Sequence, residues 1–142
     1  VTIRDLIRTS LRMRPDRIIV GEVRGAEALD MLNAMNTGHD GSLSTGHANS
    51  SMDMIYRLET MILESGASFP LVAVRQHIAS SIDIIVHLAK DAKGARRVVE
   101  ISEVSGMEDG EIKLNPLYML KERALHRTEN KLLHTEKMVL YG

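Results

Sequence analysis

The sequence predicts an α/β fold in which parallel strands alternate with helices and an antiparallel meander follows. Three observations carry this. Between Arg17 and Glu22, the β-branched run Ile18–Ile19–Val20 sits between stretches of helical periodicity, as a buried parallel strand does. From Ser81 the apolar period shortens to two, with Ile82, Ile84, Val86 and Leu88 alternating with more polar neighbours. Asp109–Gly110 then supplies a hairpin turn between strand-like segments.

Each element has a local reason. Thr2 and Asp5 have the spacing of a capping box, and Ile3, Leu6, Ile7 and Leu11 fall on one face of the helix it opens. Pro15 stops that helix, Arg17–Glu22 forms the strand, and Gly25 gives a sharp exit. Ala26–Asn36 is a second helix with Leu29, Leu32 and Met35 as core candidates. Thr37–Gly41 is a polar loop, Ser42–Thr45 a short second strand, and Gly46–Asn49 a second loop. Ser50 and Asp53 repeat the capping pattern ahead of an Ile55, Leu58, Ile62 stripe, which Gly66 ends. Pro70 suits the first position of another helix, with Leu71, Val74 and Ile78 inward. Lys93–Gly94 turns the chain into Arg97–Glu103, and the hairpin at Asp109–Gly110 feeds Ile112 and Leu114. Residues 1–120 are expected to form one partial domain, and the charged, weakly periodic 121–142 a tail or edge element.

Composition narrows the function classes. With no Cys, neither a disulfide framework nor a thiolate zinc site is available, which suits the cytosol. A net charge of −1 gives no electrostatic case for nucleic acid. No apolar run approaches the ~20 residues of a membrane span, and no signal-peptide pattern opens the chain. Nine Met against one Phe and no Trp leave the packing to aliphatic side chains and Met. Val1 runs straight into helical sequence, so the chain is expected to be a piece of something longer.

The residues that bear on chemistry cluster around the first strand. Glu22 ends it, and open α/β sheets place ligand chemistry at that end. A carboxylate there either orients a water for attack on a γ-phosphate or is simply solvated. Arg12, Arg14, Arg17 and Arg24 flank the strand; guanidinium suits phosphate, and it also suits a solvated basic face. His39 and His47 lie in Gly/Ser/Thr-rich loops on either side of the short second strand, so they need not share one end of it. Gly41–Ala48 has the glycine spacing of a phosphate-binding loop but lacks its Lys and following Ser/Thr, and is rejected as one. His39, Asp40 and His47 offer no clear third ligand for a metal.

Two stretches carry a family resemblance. Leu11–Gly25 resembles the Walker B region of the type II/type IV secretion and pilus-assembly motor ATPases, with Gly21–Glu22 in place of Asp-Glu, and Thr37–Ser50 resembles their His box. The likeness is nearest to the Tad/Flp pilus (CpaF-type) branch and covers about residues 1–90 strongly. It implies the C-terminal part of a RecA-like P-loop NTPase domain whose Walker A loop lies upstream. It also implies a homo-hexamer that hydrolyses ATP with Mg2+ to power pilus assembly or protein secretion, cytoplasmic and peripheral to the inner face of the membrane, beside platform proteins. By position, Glu22 would be the catalytic glutamate, reaching Mg2+ only through water, and His47, His39, Arg24 and Arg12 would serve nucleotide binding. Without the upstream loop, this chain alone is expected to be inactive. The alternative is that it acts alone as a non-catalytic oligomerisation or docking module. A nucleic-acid motor of the same fold would need a basic channel, which the charge does not suggest.

Overall fold

Thr2 opens helix α1 (Ile3–Leu11) with the expected capping box: its Oγ1 accepts the Asp5 N–H at 3.2 Å and its own N–H reaches Asp5 Oδ2 at 2.8 Å. The computed structural model describes residues 1–141 and divides after Ile82 into two compact units.

In the first unit, strand β1 (Ile19–Val20) pairs in parallel with β2 (Leu43–Ser44), Ile19 opposite Leu43 and Val20 opposite Ser44. Helix α2 (Glu27–Met35) connects them, and α3 (Ser51–Leu63) and α4 (Leu71–Ser81) follow. The core is Ala28, Met31 and Leu32 of α2, Ile55, Leu58, Met61 and Ile62 of α3, and Val74 and Ile78 of α4, joined by Ile18, Val20 and Val23. Each such Leu or Ile contributes roughly 1.5–3 kcal/mol over leaving it in water.

Three expectations need correction here. The β-branched run is not buried on both faces: Ile18 and Val20 point into the core, but Ile19 is 72% exposed and its partner Leu43 62%. The pleat sends alternate side chains to opposite faces, and only one face of this pair is covered. On α1, Ile7 alone is buried while Ile3 and Leu6 are exposed. What fixes α1 is polar: Arg4 Nε and Arg8 Nε donate to the two oxygens of buried Asp30 on α2, at 2.7 and 2.9 Å. Pro70 is the N-cap of α4, one residue earlier than expected, and Leu71 is exposed. Ser50 caps α3 as expected, accepting the Asp53 N–H at 3.0 Å.

The second unit is an antiparallel sheet in the order β3 (Ile84–Lys90), β4 (Arg96–Glu108), β5 (Glu111–Lys121), β6 (Ala124–Arg127), closed by helix α5 (Glu136–Tyr141). Asp109 and Gly110 both adopt positive φ, the geometry of the hairpin turn anticipated there. Val104 and Ile112 are buried, whereas Ile84, Val86 and Leu88 line a largely exposed face. Within 121–142, strand β6 pairs with β5, Leu125 opposite Leu120.

The segment between β6 and α5 is tied back to the sheet. Glu103, 1% exposed, accepts the Leu133 N–H at 2.9 Å, the His134 N–H at 2.8 Å and Asn115 Nδ2 at 3.0 Å. Asn115 Nδ2 also donates to the Lys131 carbonyl, and Asn130 Nδ2 to the Pro116 carbonyl, both at 2.8 Å.

Candidate active site

The site forms where β1 and β2 end together. Beyond the paired residues the two chains stay joined: Val23 N–H donates to the Thr45 carbonyl at 3.0 Å, and Thr45 Oγ1 donates to the Gly21 carbonyl at 2.5 Å. Val23 is buried under this junction and anchors the turn between Glu22 and Arg24. Glu22 and His47 are thereby brought together from segments distant in the chain. His47 Nε2 lies 3.0 Å from Glu22 Oε1.

Arg24 Nη2 donates to Glu22 Oε2 at 2.6 Å. The other oxygen differs. Oε1 is shielded from solvent, and His47 approaches it without the alignment of a hydrogen bond, so it has no hydrogen-bond partner. The Arg24 bond pulls the Glu22 carboxyl below the usual glutamate range; partial burial opposes this, and the charges of Arg24, His47 and Arg57 reinforce it. Glu22 is therefore an ionised acceptor at neutral pH.

Two contributors were not singled out from the sequence. Glu27, at the start of α2, accepts the backbone N–H groups of Arg24 and Gly25 on Oε1, at 2.6 and 3.1 Å. It pins the backbone of the loop and makes no bond to the Arg24 guanidinium, which goes to Glu22. The spacing of three between Arg24 and Glu27 is that of the glutamate half of a capping box, and it is the signal that points to this contact. Arg57, on α3, adds its charge to Glu22 from an element with no phosphate-related motif of its own.

The other sequence candidates lie elsewhere. His39 Nδ1 sits 3.1 Å from the Ala34 carbonyl at the end of α2, on the side where the chain enters β2. There Ser42 Oγ accepts the Ile18 N–H at 2.9 Å and donates to the His39 carbonyl at 2.7 Å. His39 and His47 thus occupy opposite ends of the strand pair. Arg12 is the exposed C-cap of α1, on the entry side of β1, and no bond links it to Glu22 or His47. A cleft of about 350 Å³ lined by Ser10, Met13, Pro15, Arg17, Ile18 and Ile19 also lies on that side and does not include Glu22.

The arrangement presents one ionised carboxylate at the exit of a parallel strand, bonded by the Arg24 guanidinium and faced by the His47 ring. Among the described residues, no group of three or more His, Cys, Asp or Glu is placed to hold a metal ion. No helix among them is long and apolar enough to cross a membrane.

Comparison with known proteins shows the family. Residues 1–134 match the family model described as type II/IV secretion system protein. A Mycobacterium tuberculosis protein named for conjugal transfer is 45% identical over 102 residues, covering 72% of this chain and 28% of that protein. The type IV secretion system protein PtlH of Bordetella pertussis is 41% identical over 105 residues, covering 71% of this chain and 31% of its own length. The crystal structure of the VirB11 ATPase from the Brucella suis type IV secretion system, in complex with sulphate, matches with a TM-score of 0.68 and 34% identity, over 72% of this chain and 32% of that one. The chain spans about three tenths of the length of the relatives it matches.

Proposed function

This chain belongs to the type II/IV secretion system protein family, and from that premise we propose that the intact protein hydrolyses ATP to power protein secretion or pilus assembly. The observation that carries the reading is Glu22, ionised at the exit of the parallel pair and faced by Arg24 and His47. In this role its carboxylate accepts a hydrogen bond from a water and orients it for in-line attack on the γ-phosphorus, while the bond to the leaving ADP oxygen breaks. His47 and Arg24 donate to phosphate oxygens, and Arg57 adds positive charge.

Mg2+ keeps most of its waters and takes few protein ligands. Glu22 Oε1, shielded and lacking a donor, fits contact with an ion-bound water. Mg2+ would neutralise charge on the β- and γ-phosphate oxygens. His39 and Arg12, on the entry side of the strands, take no part in this proposal.

The reading includes a homo-hexamer on the cytoplasmic face of the membrane, beside the platform proteins of a secretion or pilus machine. Support for the cargo comes from two sources. The relatives are named for type IV secretion and conjugal transfer, whereas the pilus-assembly branch rests on the motif stretches 11–25 and 37–50 alone. Taken by itself, the chain is proposed to serve in oligomerisation or docking and to hydrolyse no ATP.

Glu22→Gln in the full-length protein tests the reading. Turnover is expected to vanish with ATP binding retained; near-normal turnover would overturn the assignment.

A further inference from the structure

The pairing at Glu22 has a direction to it. Oε2 is held by Arg24 at 2.6 Å, and Oε1 is shielded without a hydrogen-bond donor. A carboxylate that orients an attacking water needs an oxygen free to accept from it. With Arg24 in place, Oε2 already has a charged donor at 2.6 Å, while Oε1 is shielded from solvent and faced by His47. Resting on the proposed role of Glu22, we infer that Arg24 restrains that carboxylate before nucleotide binds, and that the guanidinium transfers to a phosphate oxygen on binding, which frees Oε2.

Three observations support the transfer. The Arg24 side chain is 76% exposed while that of Glu22 is 24% exposed, so the cation has open solvent to move into and the carboxylate has less. Glu27 holds the Arg24 and Gly25 backbone N–H groups, so the guanidinium swings from a fixed base and the loop stays in place. An ion pair with one partner this exposed is weak, and a polyphosphate offers the guanidinium more charge and paired oxygens than one carboxylate does. The His47 ring, 3.0 Å from Oε1, faces the carboxylate independently of Arg24, which is on Oε2.

The inference makes ATP binding and the Glu22–Arg24 pair compete, and a double-mutant cycle on the full-length protein reads that competition. The measurement is equilibrium binding of ATP with Mg2+ at fixed ionic strength, for the parent, Glu22→Gln, Arg24→Gln and the double variant. Each variant is first checked for an unchanged melting temperature. Arg24→Gln is expected to weaken binding about tenfold, since a phosphate contact is lost. Glu22→Gln is expected to tighten it by up to about fivefold, the most an exposed pair of this kind resists. In the Arg24→Gln background that tightening is expected to disappear.

Equal tightening by Glu22→Gln in both backgrounds would show simple relief of charge repulsion and overturn the inference. Unchanged ATP binding in Arg24→Gln would overturn it too, because the guanidinium would then not reach phosphate. These outcomes are separate from the turnover of Glu22→Gln, which tests the role of Glu22 itself. A dead Glu22→Gln with no coupling in the binding cycle removes the restraint and leaves the glutamate assignment standing.

Discussion

Thr45 donates its hydroxyl to the Gly21 carbonyl at 2.5 Å, and this bond sets the spacing between the loops that carry Glu22 and His47. Thr45→Val keeps the shape of the side chain but leaves that carbonyl without its donor. The expected loss of stability is about 0.5–1.5 kcal/mol by urea denaturation. On the proposed function, kcat of the full-length enzyme falls about tenfold as the water-orienting group drifts, with KM for ATP nearly unchanged. Thr45→Ser, which restores the donor, should recover most of the rate in steady-state assays.

Glu103 joins strand β4 to the chain beyond β6. Glu103→Ala strips the Leu133 and His134 N–H groups and the Asn115 amide of their shared acceptor. The expected destabilisation is about 1–3 kcal/mol. Hydrogen exchange localises it: the amides of Leu133 and His134 should lose protection, while those of α3 keep theirs.

The same junction predicts a pH optimum. Burial raises the Glu103 carboxyl, but the N–H of Leu133, the Asn115 amide and the N–H of His134 outweigh it and leave the group below its ordinary 4.5. A lowered carboxyl contributes stability above 4.5 that is lost as pH falls through the folded value. His134 has the opposite sign. The Ser105 carbonyl holds it above its ordinary 6.5 despite partial burial, and the charges of Glu103, Glu136 and Asp83 add to this. Its contribution is complete below 6.5 and is lost as pH rises through the folded value. Protection of the Leu133 and His134 amides, corrected for intrinsic exchange, should therefore peak between these values. Glu103→Gln should flatten the acid side and His134→Asn the alkaline side.

Asp30 holds α1 where apolar packing does not. Asp30→Ala should cost about 1–3 kcal/mol in denaturant unfolding, because two guanidinium groups lose a buried partner. Arg8→Ala removes the more exposed of the two and should cost less than about 1 kcal/mol. Equal losses from the two variants would mean that the clamp is not shared as the geometry indicates.

These residues also show what a sequence discloses. Capping at Thr2 and Ser50 was legible because each motif needs only its own few residues. The Asp109–Gly110 turn was legible for the same reason. Strand β6 was legible only as one of two alternatives for 121–142, an edge element or a tail, because its turn uses Glu122 and Arg123 at positive φ, where neither glycine nor asparagine marks the spot. Periodicity identified Ile84, Val86 and Leu88 as one strand face without telling whether anything covers it. At the site, the pairing of Glu22 with His47 depends on the register of β1 against β2, which only tertiary structure supplies. The separation of His39 from His47 follows from the same register.

Helix α2 makes two attachments within a single turn. Glu27 grips the backbone ahead of it at Arg24 and Gly25, and three residues on Asp30 grips Arg4 and Arg8 of α1. Residues so spaced lie on one face of a helix. One helix face thus ties α1, through Arg4 and Arg8, to the same element that holds the backbone at the base of Arg24.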